Sequence, residues 1–171
     1  MKIVRLALLL LTVFWLSAAK THASDRYPCE NVHTFDFWVG DFEATPWNEP
    51  GTPSRGRLHN TREYHGCVIL ERWMGKDSSG MSTGFYDISR RAWRMMWVGD
   101  DGRSTDLEGS FHDGAMRFTG TTLDPSGKTV RVTNVLQPVS ADTIRHTFSV
   151  SYDGGKTWSV KSDGRFVRVK H

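Results

Sequence analysis

The sequence predicts an all-β fold, an antiparallel up-and-down barrel of eight to ten strands, from three observations. Turn signals recur at intervals of roughly a dozen residues from position 66 onward. Between them lie short runs rich in Val, Ile, Thr, Phe, Tyr and Trp, with partial alternation. No stretch after residue 34 sustains the apolar period of a helix, so no long helix is expected. Strands joined in series by tight turns must either split into two sheets or close on themselves. Closure removes exposed edges, which invite aggregation, so a barrel ranks ahead of a sandwich.

The N-terminal residues read as an address. Lys2 and Arg5 precede an apolar run from Leu6 to Leu16, broken only by Thr12. Small residues follow at Ser17, Ala18, Ala19, Ala23 and Ser24. This is the three-part pattern of a secretory signal peptide, with cleavage expected after Ala23 or Ala19. A membrane-spanning helix needs about 20 apolar residues, so no stable membrane anchor is expected. The organisation expected is a signal peptide over 1–23, an irregular lead over 24–34 and one barrel domain over 35–171. A periplasmic or extracellular location follows.

The signal also accounts for the charge. The whole chain carries 22 Lys+Arg against 19 Asp+Glu, a formal net charge of +3, with a pI near 9.0. Removing Lys2, Arg5 and Lys20 brings the two signs into balance. Within the remainder, charges alternate at short range, as in Arg62-Glu63 and Glu71-Arg72, and Arg90-Arg91 is the one adjacent basic pair. A nucleic-acid partner needs clustered cations to displace counterions, and none is visible. Export further favours pairing Cys29 with Cys67 over leaving two buried thiols. A bridge across that loop is worth about 3–4 kcal/mol by chain-entropy arithmetic.

Taken in order, turns are expected at Pro50-Gly51, His65-Gly66, Asp77 to Gly80, Ser89-Arg90 and Asp100 to Gly102. Others follow at His112 to Gly114, Asp124 to Gly127, Pro138 to Asp142 and Asp153 to Gly155. The strand runs between them include 67–74, 92–98, 115–123, 130–136, 144–152 and 157–161. Asp163-Gly164 reads either as a bulge in the last strand or as one more hairpin. Ser151 to Trp158 matches the Asp-box of sialidases and other propellers, S-x-D-x-G-x-T-W. Propellers repeat it blade by blade, at about 40–50 residues each, and here it stands once. The box is therefore read as a hairpin turn.

One segment carries a family resemblance. Phe35-Asp36-Phe37-Trp38-Val39-Gly40-Asp41-Phe42 resembles the F-D-F-W-x-G-[DE]-[WF] opening of a bacterial family of unknown function with lipocalin-like, calycin-type barrels. Gly66 to Trp73, Tyr86-Asp87, Trp93 to Val98, Leu107-Glu108-Gly109 and the Asp153 to Trp158 turn agree in order. The resemblance implies a barrel with an internal cavity for a small, largely apolar ligand. It also implies that the aromatic at Phe42 closes one end against a basic residue of the last strand, Arg165 or Arg168.

Alternation places Ile69, Glu71 and Trp73 on one strand face. It groups Trp93, Met95 and Trp97 on a second, and Ile144, His146, Phe148 and Val150 on a third. If these faces are interior, Trp73 and Trp97 wall a cavity and Glu71, Arg131 and His146 are its polar groups. The alternatives are core packing for the tryptophans and structural partners for the polar groups. Glu71 with His146 is also the one acid–base pair available to an enzyme. No metal-ligand spacing, phosphate loop or nucleophile elbow is apparent, so no metal or cofactor is expected. The leading expectation is an exported binder of a small hydrophobic or amphipathic molecule. The alternatives are a barrel enzyme of hydratase, isomerase or hydrolase type, and an envelope interaction module with a filled barrel.

Overall fold

The computed structural model describes Cys29 and residues 32–170, so the signal segment lies outside the described residues. Ten strands follow in series: β1 (Gly40–Pro46), β2 (Gly56–Glu63), β3 (Val68–Gly75), β4 (Ser79–Asp87) and β5 (Ala92–Gly99). The second half comprises β6 (Ser104–His112), β7 (Ala115–Leu123), β8 (Thr129–Ser140), β9 (Thr143–Ser151) and β10 (Ser159–Arg168). Each pairs antiparallel with the next, and β10 returns to β1 in register Phe42↔Arg168 to Pro46↔Gly164. The sheet is a closed up-and-down barrel, as the turn spacing predicts, with the lipocalin-like plan of a meander wound around one interior. Closure excludes the sandwich.

The strands owe their faces to period-two patterning. On β8, Val130, Val132, Asn134 and Leu136 point inward and are buried. Asp163-Gly164 continues β10 without a turn, and the irregularity falls earlier, between Val160 and Ser162. A second register shift separates Pro138 from Ser140 on β8. Proline has no N–H to give the ladder, which fits its place at an interruption.

One end of the barrel is plugged by the opening motif. Residues Asp36–Trp38 form a single turn of 3-10 helix that enters the lumen ahead of β1. The barrel wall thus begins at Gly40, and the residues before it serve as a stopper. Phe35, Trp38 and Phe42 are essentially fully buried there. Phe35 meets Trp93 edge-on at 5.4 Å, and Trp93 donates its indole N–H to Thr34 Oγ1 at 3.0 Å. Asp36 pairs with Arg62, whose Nη2 also donates to the Val32 carbonyl at 3.1 Å.

Arg168 seals the stopper from the last strand. Its guanidinium donates to the carbonyls of Val39 (2.6 Å) and Phe37 (3.1 Å) and lies 4.6 Å over the Phe42 ring. Gly40 explains itself in this setting: its φ is +124°, and a Cβ there would run into the same guanidinium. Of the two arginines expected at this role, Arg165 turns elsewhere and stacks on Trp47 at 4.3 Å. Cys29 and Cys67 form a disulfide that ties the lead to the turn between β2 and β3, with the Cα atoms 5.0 Å apart. Among the described residues no helix is long and apolar enough to cross a membrane.

The opposite end is open, and its loops include the Asp-box. Asp153 accepts from Ser151 Oγ (2.8 Å), the backbone N–H groups of Lys156 and Thr157 (3.0 and 2.9 Å), and Thr157 Oγ1 (2.6 Å). These donors hold its carboxyl far below the ordinary carboxylate range. These bonds all stay within the turn and hold the hairpin in shape.

Candidate ligand-binding cavity

Above the stopper the barrel encloses a cavity of about 450 Å³. Its floor is Trp38, which sits 5.3 Å from Phe166 and 6.0 Å from His146, ring centre to ring centre. Glu71 completes the floor. Higher up, Trp73, Trp97, Phe148, Met95 and Leu107 form apolar walls, and Ser78, Asp101, Arg103 and Thr122 lie at the rim.

Glycines let the wall aromatics lie back against the sheet. A Cβ at Gly56 or Gly75 would fall within 2.6 Å of the Trp73 indole, and one at Gly80 within 2.5 Å of Trp97. A Cβ at Gly164 would stand 2.9 Å from the Phe166 ring. Replacing bare backbone with a flat ring leaves the lumen open while keeping the wall apolar.

The polar chemistry of the floor is specific. Glu71 is 9% exposed. Its Oε2 accepts from Trp38 Nε1 at 2.9 Å and from Ser82 Oγ at 3.1 Å. Burial dominates these two donors and raises its pKa above the usual carboxyl value, which favours the protonated acid. His146 Nε2 bonds the Oδ1 of Asn134, an acceptor, so this nitrogen carries the proton. Asn134 Nδ2 in turn points at Met95 Sδ, 3.9 Å away. Burial pushes the imidazole down to about 4, against a weaker opposite pull from Asp163, so it is neutral at pH 7. The floor therefore carries an imidazole that is neutral at pH 7 and a carboxyl whose burial favours its protonated form.

Four of the five candidates that the sequence offers come together here. Trp73, Trp97, Glu71 and His146 all line the cavity. Arg131 does not. It alternates with inward Val130 and Val132, lies exposed on the outer face, and donates to the Gly154 carbonyl at 3.1 Å. The correction is a matter of strand parity, and the apolar neighbours carried the signal for it. Trp38, Asn134 and Phe166 also line the cavity, and Ser82 supports Glu71 from behind it; none of the four is among the sequence candidates. Trp38 was visible only as part of the opening motif, and Asn134 as a polar break in an inward apolar series.

Metal chemistry finds little here, since among the described residues no three His, Cys, Asp or Glu side chains are grouped to hold an ion. No protein-family model matches the chain, and no curated protein matches it in sequence.

Proposed function

We propose that the protein is exported and binds a small hydrophobic or amphipathic molecule inside the barrel, as a member of the lipocalin-like, calycin-type family whose opening motif it resembles. The observation that carries this reading is the 450 Å³ cavity, open at one end and walled by aromatics. Its size falls within the range of roughly 300–1,000 Å³ common to small-molecule sites. A filled barrel, as an interaction module would have, does not fit this interior. The motif supports the family reading because its residues serve one closure: Asp36 to Arg62, Trp38 to Glu71, and Gly40 and Phe42 to Arg168. Export is supported by the disulfide and by the apolar N-terminal run.

Titration with Nile red, an uncharged solvatochromic dye, tests the binding reading. Saturable, blue-shifted emission with quenching of tryptophan at one dye per barrel is expected, weakened by Trp97→Ala. Linear, unsaturable partitioning would sink it. Cell fractionation with N-terminal sequencing of the mature protein tests export and locates the cleavage site.

One observation favours a second reading, an enzyme acting on the same molecule. Glu71 and His146 face one cavity, a carboxyl whose burial favours the protonated form and an imidazole that is neutral at pH 7. Chemical change in a ligand recovered from the protein, abolished by His146→Gln, distinguishes catalysis from carriage.

A further inference from the structure

Resting on the binding reading above, we infer that the cavity takes an uncharged molecule with a flat apolar body and a hydroxyl-bearing end, seated hydroxyl-first between Glu71 and His146. Anions of the fatty-acid type are rejected.

The hydrogen bonds of the floor lead to this ligand. Both donors to Glu71, from Trp38 and Ser82, arrive on Oε2. Among the described residues Oε1 receives none, so a protonated Glu71 presents its O–H from that oxygen. His146 spends its N–H on Asn134 and keeps the lone pair of Nδ1, which meets no donor among the described residues. The floor thus offers one donor and one acceptor at the end of an apolar shaft. A hydroxyl is the smallest group that answers both kinds, since its oxygen accepts and its proton donates. Leaving either group without a partner beneath a ligand that shuts out water would cost free energy, so the ligand's polar end belongs at the floor.

Charge narrows the class. Among the described residues Arg103 is the one Lys or Arg lining the cavity; it lies at the rim, already paired with Asp101 at 2.6 Å. A carboxylate pushed down the shaft would meet Glu71 and the aromatic faces with no counter-charge, and would lose its hydration without return. A cation would call for an ionised Glu71, which its burial among indole and phenyl rings disfavours, whereas an uncharged hydroxyl makes no such demand. Trp73 and Trp97 set the body: flat rings laid against glycine suit a planar or polycyclic ligand better than a mobile chain.

Four naphthalene probes of nearly equal shape separate these cases when competed against Nile red at pH 7. They are 2-naphthol, naphthalene, 2-naphthoate and 2-naphthylmethylammonium. 2-Naphthol is expected to compete about tenfold better than naphthalene, the effect of one buried neutral hydrogen bond. Naphthoate and the ammonium are expected to be weaker than 2-naphthol by tenfold or more. Glu71→Leu should weaken 2-naphthol about tenfold, and Glu71→Gln should restore most of that loss. Glutamine can accept from Trp38 and Ser82 and donate toward the cavity, as the protonated acid does. The inference is overturned if either charged probe matches 2-naphthol, or if Glu71→Gln is as damaging as Glu71→Leu. Should Glu71→Leu not fold, the ranking of the four probes on the native protein decides alone. Saturable Nile red binding with no competition from 2-naphthol defeats this inference and leaves the binding reading standing. Failure of the dye as well defeats both.

Discussion

Trp38 donates its indole N–H to Glu71 across 2.9 Å, joining the stopper at one end of the barrel to the floor of its cavity. The bond spans 33 residues of sequence and is buried. It makes the plug and the cavity one unit: what holds Trp38 in place also holds Glu71's Oε1 toward the lumen. Trp38→Phe should destabilise the fold by about 1–3 kcal/mol, the usual effect of withdrawing a donor from a buried polar group. In a double-mutant cycle with Glu71→Leu, which offers the indole no acceptor, urea unfolding should return a coupling of about 1 kcal/mol. Additivity would mean that the bond contributes nothing.

The two titrating groups of the floor set opposite pH slopes. Glu71 is raised above its ordinary 4.5 by burial, so the folded chain keeps a proton that the unfolded chain releases. Its contribution to stability is complete below pH 4.5 and is lost as pH rises to the folded pKa. His146 behaves in reverse. The unfolded imidazole protonates near 6.5, the folded one near 4, so stability present above pH 6.5 is lost as pH falls to about 4. That shift corresponds to something on the order of 3 kcal/mol. Just above pH 4.5 the two oppose each other. His146→Gln, which can still donate to Asn134, should flatten the acid side of the stability curve over 6.5 to 4. Glu71→Gln should instead raise the curve at pH 8 relative to the native protein. Unchanged slopes in both variants would contradict the burial of the pair.

The two arginines of β10 predict a contrast. Arg168 bonds two carbonyls of the stopper while covering Phe42, a geometry that needs the planar fork of a guanidinium. A lysine there has one point charge for three tasks. Arg168→Lys should destabilise by about 1–3 kcal/mol in urea unfolding. Arg165→Lys, which disturbs a stack on Trp47, should change stability by less than about 1 kcal/mol. Equal effects would remove Arg168 from its sealing role.

Much of this architecture is legible in the sequence because it depends on local pattern. Period-two alternation turned Ile69, Glu71 and Trp73 inward, and glycine-bearing turns marked the hairpins. The same rule, applied through Val130 and Val132, places Arg131 outside, so that error lay in reading one residue without its neighbours. The stopper was less accessible. A three-residue 3-10 turn has no period to detect, and Trp38 reaches Glu71 only once ten strands have closed. Which inward residues meet at the floor depends on how far neighbouring strands are staggered around the barrel. That stagger is a property of closure and leaves no mark on any single strand.

Gly164 offers a direct test of the cavity's shape. It lies on the inner face of β10, two residues before Phe166, and a Cβ there would stand 2.9 Å from the Phe166 ring, to which the three nearest atoms all belong. The ring can yield only away from the wall, towards Trp38, Trp73 and His146, which are its packed neighbours. Gly164→Ala therefore spends lumen at the floor, where a ligand's polar end would sit. Overpacking of this kind typically destabilises by about 1–3 kcal/mol, so the variant should remain folded. Nile red affinity is expected to fall by about tenfold if that cost is transferred to the ligand. Gly155→Ala at the outer Asp-box turn controls for stability, since its φ of +98° strains an alanine but its side chain faces no cavity residue. Loss of dye binding in Gly155→Ala equal to that in Gly164→Ala would mean that destabilisation, and not lost volume, governs the interior.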